Sequence, residues 1–461
     1  MGSLAMKGTG MEKLCTLSIL LSLLVPAHTI RSPDCGGILT PSGLSYFAEV
    51  SKSYAEAILR QDLKALIGPE VFPSIPESSS AQIDSIRVAK LTLSLIPDAG
   101  LRLSIDVDFG ITPAPSTTKQ MRLSILANLQ VEMNAEENLE LVTSACKSTV
   151  EETQSTGETQ SKSSSSEEDK KIIVKKVCSE VSKLLLSPNE LLISLRAQFP
   201  VTPSCLVQYQ PLAAPMFSEQ GITISLQTTF QVAGVAIPLP VSPVPFSMPE
   251  PASPSPSHLT LAFSKHFYTS LFSALEISGA FNMTIPSPLT TATLAQKITQ
   301  IGSLFHEDLP VVLQAVFRSS PRVLLEEDKA ALKLFLTVHV GEGVSSFQSF
   351  LSVNVDISAG LLLSVTDTRM LITATAIEDI ELSLAASNVG PVPDALLEEL
   401  FLPTIRKEVP AQMNVVLNEG VFLPHISSFT YTDVNVMIHK DYVLVACNLE
   451  LQARSAEQTS G

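Results

Sequence analysis

Residues 236–258 read AIPLPVSPVPFSMPEPASPSPSH and contain eight prolines. Each proline fixes φ and removes a backbone donor, so this segment is predicted to run extended, largely as polyproline II. It lies near the middle of a 461-residue chain, with amphipathic helices and alternating strands on both sides. These features predict a semi-rigid connector between two similar lobes. The alternative is a surface loop without fixed structure.

The composition indicates extensive apolar faces and argues against nucleic acid as a partner. Hydrophobic residues make up 45% of the chain and charged residues 16%, with a mean hydropathy of +0.28. The formal net charge is −16. A chain this acidic cannot bind nucleic acid by neutralising phosphates. The same charge opposes binding to anionic membranes, unless a local basic patch overrides it.

The first 29 residues are typical of a signal peptide. Lys7 and Lys13 flank the start of an apolar run over residues 14–25, which is too short to span a membrane. No later stretch reaches about 18 uninterrupted apolar residues, so we predict a secreted protein without a transmembrane segment.

Removal of the signal peptide also removes Cys15 and leaves an odd number of cysteines, at positions 35, 146, 178, 205 and 447. At least one thiol must therefore stay unpaired within the chain. Among the alternatives, we predict that Cys35 pairs with Cys205 and that Cys447 stays free.

Each half of the chain combines long helices with strands of period two. Thr40-Pro41 marks the start of a one-sided helix that continues to Leu66. Further helices are predicted at residues 267–277, 294–304 and 396–417. Strands are predicted at residues 91–95, 101–111, 123–133, 332–338, 351–357, 361–365, 371–384, 429–438 and 442–451. Alternation of this kind predicts twisted antiparallel sheets with one buried face, which the helices would cover.

Four other segments complete the organisation. Residues 147–171 are rich in Ser, Thr, Glu and Lys and predict a solvated loop, and residues 172–195 predict a weaker helix. Residues 221–233 and 258–264 predict strands of a sheet that joins the lobes. The predicted domains are the signal peptide at 1–29, the first lobe at 30–218, the joining strand and linker at 219–257, and the second lobe at 258–461.

No motif for catalysis, cofactor binding or metal binding stands out. The sequence has no H-E-x-x-H, G-x-S-x-G, Walker or G-x-G-x-x-G pattern, and its seven histidines are scattered. We therefore predict a non-enzyme without a cofactor or a metal. Asn282-Met283-Thr284 is a sequon, which predicts a glycan at Asn282 if that site lies on the surface.

A long one-sided helix over a curved sheet can enclose an elongated apolar cavity suited to acyl chains. The alternative, equally supported by the pattern, is that both faces pack together as ordinary core. The predicted lining residues are Leu44, Phe47, Tyr54 and Ile58 in the first lobe, and Phe263, Phe267 and Leu271 in the second.

Several segments resemble the bactericidal/permeability-increasing protein family, and the resemblance covers essentially the whole mature chain. They are Leu259–Ser264 leading into the 267–275 helix, Ser387–Pro391 before a long helix, Gly420–Pro424 before two strands, and the pair Cys146 and Cys178. At closer range, Asp34–Pro41 and Tyr431–Val436 resemble an egg-white member of the family.

The resemblance implies an α+β fold: an elongated two-lobe boomerang in which each lobe is a twisted antiparallel sheet or barrel with long helices. A central sheet and the Pro-rich linker would join the lobes. It also implies a Cys146–Cys178 disulfide and a pocket for phospholipid acyl chains in each lobe.

The resemblance further implies binding of bacterial surface lipid, which this chain's charge opposes. Residues 35–218 carry 16 Lys and Arg against 21 Asp and Glu, whereas recognition of lipid phosphates needs cations. We therefore expect a secreted protein that holds phospholipid or fatty-acyl chains and serves innate defence in egg white. The alternative is an egg-white structural or nutritive protein of the same fold without bound lipid.

Overall fold

The computed structural model describes residues 32–66, 82–114, 117–135, 139–155, 175, 178–179, 181–185, 198–238, 244, 246–250, 256–343, 347–425 and 428–452. The predicted signal peptide lies outside the described residues. So do parts of the predicted 147–171 loop, of the predicted 172–195 helix and of the Pro-rich connector.

The described residues form nineteen strands, five α-helices and one 3-10 turn. The strands are β1 (Cys35–Leu39), β2 (Gln82–Ile96), β3 (Gly100–Ala114), β4 (Thr117–Met133), β5 (Leu139–Ser155), β6 (Gln198–Thr202), β7 (Cys205–Pro211), β8 (Met216–Ser218), β9 (Gly221–Val232), β10 (Val235–Ala236), β11 (Leu259–Ser264), β12 (Met283–Thr290), β13 (Pro310–Glu326), β14 (Lys329–Glu342), β15 (Gln348–Thr366), β16 (Arg369–Ser387), β17 (Val421–Phe422), β18 (Phe429–His439) and β19 (Tyr442–Leu451). The helices are α1 (Pro41–Leu66), α2 (Lys265–Ile277), α3 (Thr291–Ala295), α4 (Ile301–Leu304) and α5 (Asp394–Leu417), and the 3-10 turn is Val181–Leu184.

The first lobe packs helix α1 on a four-stranded antiparallel sheet in the order β2-β3-β4-β5. Helix α1 begins as predicted, because the Gly43 N–H donates to the Thr40 hydroxyl at 3.2 Å in the manner of an N-cap. The predicted alternation on β3 is confirmed, since Leu103, Ile105 and Val107 have no exposed surface. The amphipathic pattern of this half therefore produces the predicted helix on a one-sided sheet.

One expectation for the first lobe was wrong in part. Strand β5 covers the beginning of the predicted 147–171 loop and pairs with β4 along its length. It is an edge strand, so polar side chains on its outer face cost little. Within the predicted 172–195 helix, the described residues 175, 178 and 179 are α-helical and Val181–Leu184 forms a 3-10 turn, while the rest of the range, apart from residue 185, lies outside the described residues. The predicted disulfide is present, with the Cα atoms of Cys146 and Cys178 5.7 Å apart.

A nine-stranded central sheet lies between the lobes, with the main order β18-β19-β11-β1-β9-β7-β6. The two strands predicted to join the lobes, β9 and β11, are both in it. They do not pair with each other, because the unpredicted strand β1 lies between them. The predicted linker boundaries, 219–257, cover only part of this sheet, which also takes strands from both ends of the chain.

The two faces of the central sheet have different neighbours. Because side chains alternate along a strand, Cys35, Gly37 and Leu39 of β1 share the face that meets the two lobes. On the opposite face the connector packs close to the backbone, and a Cβ atom on Gly36 would lie 2.7 Å from the Met248 sulfur. The ring of Phe246 also lies 6.3 Å from that of Tyr442. The described part of the connector is therefore packed against the sheet.

The second lobe has a six-stranded antiparallel sheet in the order β12-β13-β14-β15-β16-β17, covered by α2 and α5. The single strand β15 replaces the two strands predicted at 351–357 and 361–365. Two short helices, α3 and α4, replace the single helix predicted at 294–304. Among the described helices, none is long and apolar enough to cross a membrane.

Candidate functional site

An apolar cavity of about 140 Å³ lies between the first lobe and the central sheet. A cavity needs about 10–15 Å³ of such volume to hold one buried water molecule, so this cavity is about ten times larger. It is lined by Leu44, Phe47 and Ser51 of α1; Leu93, Leu101, Val131 and Leu141 of β2 to β5; Gly37, Leu39, Ile222, Ile224, Leu226, Leu259, Leu261, Tyr431 and Leu449 of the central sheet; and Leu185, Pro215, Pro424 and His425 of connecting segments.

The cavity forms where one face of helix α1 lies opposite one face of the central sheet. On α1, Leu44, Phe47 and Ser51 follow helical spacing and share one face. In the central sheet, Ile224 of β9 and Leu261 of β11 pair in register with Gly37 of β1, so the three positions form one row across the floor. Position 37 favours glycine because the neighbouring strand approaches closely, and a Cβ there would lie 3.0 Å from a methyl carbon of Leu261.

The few polar groups of the lining are engaged and uncharged at neutral pH. The Tyr431 hydroxyl donates to the Pro424 carbonyl. Nδ1 of His425 lies 2.8 Å from the Leu423 carbonyl oxygen, and burial lowers the pKa of the imidazole, which favours its neutral form. The lining contains no Lys, Arg, Asp or Glu among the residues that the structure describes. A cavity of this character suits a hydrocarbon chain, because burying a charge in it would be costly.

A second, more open chamber adjoins the cavity and shares Leu44 and Leu93 with it. Its volume is about 410 Å³ and its remaining lining residues are Pro41, Ser45, Ser94, Leu95, Pro97 and Glu219. We call the two spaces the inner cavity and the outer chamber. The inner cavity is almost wholly apolar, whereas the outer chamber carries hydroxyls and one carboxylate.

The structure brings only two of the predicted lining residues to the inner cavity, Leu44 and Phe47. The Tyr54 side chain is 37% exposed and lies outside its lining. Ile58 is half-buried and packs on the first-lobe core. The second-lobe residues Phe263, Phe267 and Leu271 have no exposed surface and belong to the large core cluster that includes the second lobe.

Aromatic side chains fill the space beside α2. The ring of Phe267 lies 4.9 Å from that of Phe263, 6.1 Å from Phe230 and 6.5 Å from Tyr209, and it contacts Tyr268 edge-on at 5.1 Å. These five residues are at most 2% exposed. The side chains predicted to line a second pocket are thus packed together as core.

The central sheet supplies much of the floor of the inner cavity, and this contribution was not predicted from the sequence. The signal was present in the alternation of Ile222, Ile224 and Leu226 and of Leu259 and Leu261. The two strands were not predicted to form one floor, because β1 was not recognised as the strand that lies between β9 and β11.

Buried polar groups cluster where β1 meets β9. The Asp34 carboxylate is 2% exposed and accepts hydrogen bonds at 2.9 Å from both the backbone N–H and the hydroxyl of Thr228. Burial raises the pKa of Asp34 from 3.8 to about 7, partly offset by these hydrogen bonds. The Cys35 thiol lies 3.4 Å from the same hydroxyl. The cluster is enclosed and offers no open position to a ligand.

The predicted Cys35–Cys205 disulfide is not formed, and both residues are buried thiols, as is Cys447. Cys35 pairs in register with Leu226 and Cys205 with Val232, six residues apart on β9. Six residues of a strand span about 20 Å, well beyond the ~7 Å Cα separation that a disulfide tolerates. No group of three or more His, Cys, Asp or Glu side chains that could hold a metal occurs within the described ranges.

Comparisons with known proteins agree with this architecture. Residues 201–451 match the model of the LBP/BPI/CETP family, C-terminal domain. Protein TENP of Gallus gallus is 62% identical over 95% of this chain and all of its own length. BPI fold-containing family B member 2 of Homo sapiens is 24% identical over 95% of this chain and 99% of its own.

Among solved structures, lipopolysaccharide binding protein superimposes with a TM-score of 0.52 at 16% identity, covering 92% of this chain and all of that one. At this identity the superposition supports only the fold, which consists of two lobes about a central sheet. Together with the family match over residues 201–451 and the 62% identity to a full-length relative, it leads to one conclusion. This chain belongs to the LBP/BPI/CETP family.

Proposed function

We propose that this protein is a secreted lipid-binding protein that holds one acyl chain, of a phospholipid or a fatty acid, in the inner cavity. The observation that carries the proposal is the apolar lining of that cavity. Among its described residues, only Ser51, His425 and Tyr431 have polar side chains, and those of His425 and Tyr431 are hydrogen-bonded to backbone carbonyls. Each methylene buried there would contribute about 0.8 kcal/mol. Leu44 and Phe47 would contact the chain.

The second lobe would bind no lipid, since Phe263 and Phe267 pack with other rings in the space where a second chain was expected. The proposed stoichiometry is therefore one acyl site per protein. Phe263, Phe267 and Leu271 would serve as core rather than as ligand contacts.

An innate-defence role is proposed on the strength of the family, whose members are lipid-binding proteins connected with defence. The acidic first lobe argues against tight binding of endotoxin phosphates. Defence would then depend on taking up acyl lipids. Asn282 is exposed in the turn before β12, which supports the proposed glycan at that position.

The first experiment is native mass spectrometry of the protein recovered from its natural source, with lipid extraction from the same sample. One acyl lipid per protein is the expected result. A protein that is empty, and that takes up no fluorescent fatty acid, would contradict the proposal. That outcome would favour a structural or nutritive protein of the same fold.

A matched pair of substitutions on β3 tests the location. Leu101 lines the inner cavity, whereas Leu103, two residues along the same strand, is fully buried in the first-lobe core and does not. Leu101→Phe should place its larger ring in the cavity and reduce lipid uptake with little loss of stability. Leu103→Phe should leave uptake unchanged and cost about 1–3 kcal/mol through overpacking. Equal uptake by both variants would place the lipid elsewhere.

A further inference from the structure

We propose that the outer chamber is a headgroup site that favours lipids with a positively charged amine over anionic lipids, with Glu219 as the residue that determines this specificity. The inference rests on the proposed function, because it assigns the polar end of the ligand whose acyl chain occupies the inner cavity. It adds a ligand class and a residue that lies outside the acyl site.

The first step is adjacency. Leu44 and Leu93 line both spaces, so the inner cavity and the outer chamber lie on either side of these two side chains. Their linings differ in polarity, with hydroxyls of Ser45 and Ser94 and the Glu219 carboxylate only in the outer chamber. A molecule that fills both must be apolar at one end and polar at the other, which is the character of a lipid with a headgroup.

The second step is charge. Glu219 lies in the exposed turn between β8 and β9 and is the single charged side chain in the described lining of the outer chamber. Asp98, in the exposed turn next to Pro97, adds a second carboxylate near this rim, since its N–H bonds to the Phe217 carbonyl at 3.0 Å. The lining of neither space contains Lys or Arg among the described residues.

The start of α1, which also borders the outer chamber, does not reverse this preference. Pro41 has no N–H, the Gly43 N–H is bonded to the Thr40 hydroxyl at 3.2 Å, and the Leu44 N–H is bonded to the Thr40 carbonyl at 2.9 Å. The first cation along α1, Lys52, is two turns away from the chamber and pairs with Glu49 at 2.5 Å. On the neighbouring strand, Arg102 pairs in register with Ser94, and its Nε donates to the Asn128 amide oxygen at 3.5 Å. Glu219 is the charged side chain that lines the chamber itself among the described residues.

A choline or ethanolamine ammonium near Glu219 would be attracted, and the net negative headgroup of phosphatidylglycerol would be repelled. Exposed ion pairs contribute up to about 1 kcal/mol, which corresponds to a preference of about fivefold. Replacing the carboxylate by a cation removes the attraction and adds a repulsion, so two factors of up to about fivefold multiply and the preference should shift by up to about 25-fold.

The test measures the affinity of the protein for three pyrene-labelled probes with the same acyl chains: phosphatidylcholine, phosphatidylglycerol and uncharged diacylglycerol. The wild type should bind phosphatidylcholine more tightly than phosphatidylglycerol. Glu219→Lys should shift the ratio toward phosphatidylglycerol, and Glu219→Gln should lie between. Glu398→Lys, at an exposed position on α5, makes the same change in net charge far from the chamber and should leave the ratio unchanged.

The outcomes separate the two proposals. If diacylglycerol binds but Glu219→Lys changes the ratio no more than Glu398→Lys does, the headgroup site is wrong while the acyl site stands. If the wild type binds the anionic probe as tightly as the choline probe, the charge preference is likewise overturned. If none of the three probes binds, the proposed function fails and the headgroup site fails with it.

Discussion

Replacing the buried carboxyl of Asp34 by an amide should change how the stability of this protein depends on pH. Asp34 is 2% exposed beside Thr228 at the junction of β1 and β9, and burial raises its pKa from 3.8 to about 7. Asn keeps an oxygen that can accept the two hydrogen bonds from Thr228, but it cannot ionise. The substitution Asp34→Asn therefore removes the titration with little change in shape.

The sign follows from which state holds the proton. Between pH 3.8 and about 7, the folded state keeps the Asp34 proton while the unfolded state releases it. The contribution of Asp34 to stability is thus fully present below the unfolded pKa and is lost as the pH rises through the folded value. Three pKa units at about 1.4 kcal/mol each give about 4 kcal/mol. Relative to wild type, Asp34→Asn should gain this amount across the interval.

The assay is urea unfolding followed by far-UV circular dichroism, since the chain has no Trp. Wild type and Asp34→Asn are compared at several pH values across the interval. Asp108→Asn is the control: the Arg122 hydrogen bond lowers the pKa of Asp108, so its stabilisation appears above the unfolded pKa and has the opposite sign. Parallel pH profiles for wild type and Asp34→Asn would refute the reasoning, because they would mean that Asp34 is ionised in the folded protein.

Three further substitutions test how the fold is held together. Replacing Cys146 and Cys178 by Ala opens a disulfide that spans 32 residues, and should cost about 3–4 kcal/mol in urea unfolding; no loss would mean that the bond constrains little in the unfolded chain. Tyr209→Phe removes a 2.7 Å hydrogen bond to the Phe422 carbonyl, and the unpaired oxygen should lower the unfolding free energy by about 1–3 kcal/mol. Thr40→Ala removes the cap of α1 and should cost about 0.5–2 kcal/mol, whereas Thr40→Ser should restore it; an Ala variant as stable as wild type would exclude a capping role.

The elements that were predicted correctly are those whose pattern is local. Helix α1 has a capping Thr40, a proline at its first position and a one-sided apolar stripe, all readable within the helix itself. Strand β3 alternates along its described side chains, with the odd positions from 101 to 109 buried. In both cases the local spacing of apolar residues predicts which side chains are buried, without information from residues far along the chain.

The elements that were missed depend on partners far along the chain. Strand β1 contains Gly36 and Gly37, which weaken a strand signal, yet the sheet needs them small: a Cβ on Gly36 would lie 2.6 Å from the Ile224 carbonyl oxygen. Strand β5 is polar enough to be taken for a loop, and only its pairing with β4 makes it a strand. The floor of the inner cavity depends on β1, so the sequence pointed to α1 residues and not to the central sheet.

The contrast between the lobes is a matter of side-chain size along one face of the central sheet. Toward the first lobe this face presents Gly37 with aliphatic neighbours such as Ile224 and Leu261, and an open space remains above them. Toward the second lobe the same face presents Phe230 and Phe263, and Phe267 of α2 packs onto both. Glycine and branched aliphatic side chains leave a gap on the side of the first lobe. Three aromatic rings fill the corresponding space on the side of the second lobe. The same sheet can therefore border an open cavity at one end and packed core at the other, and the position of the aromatic residues along it decides which end stays open.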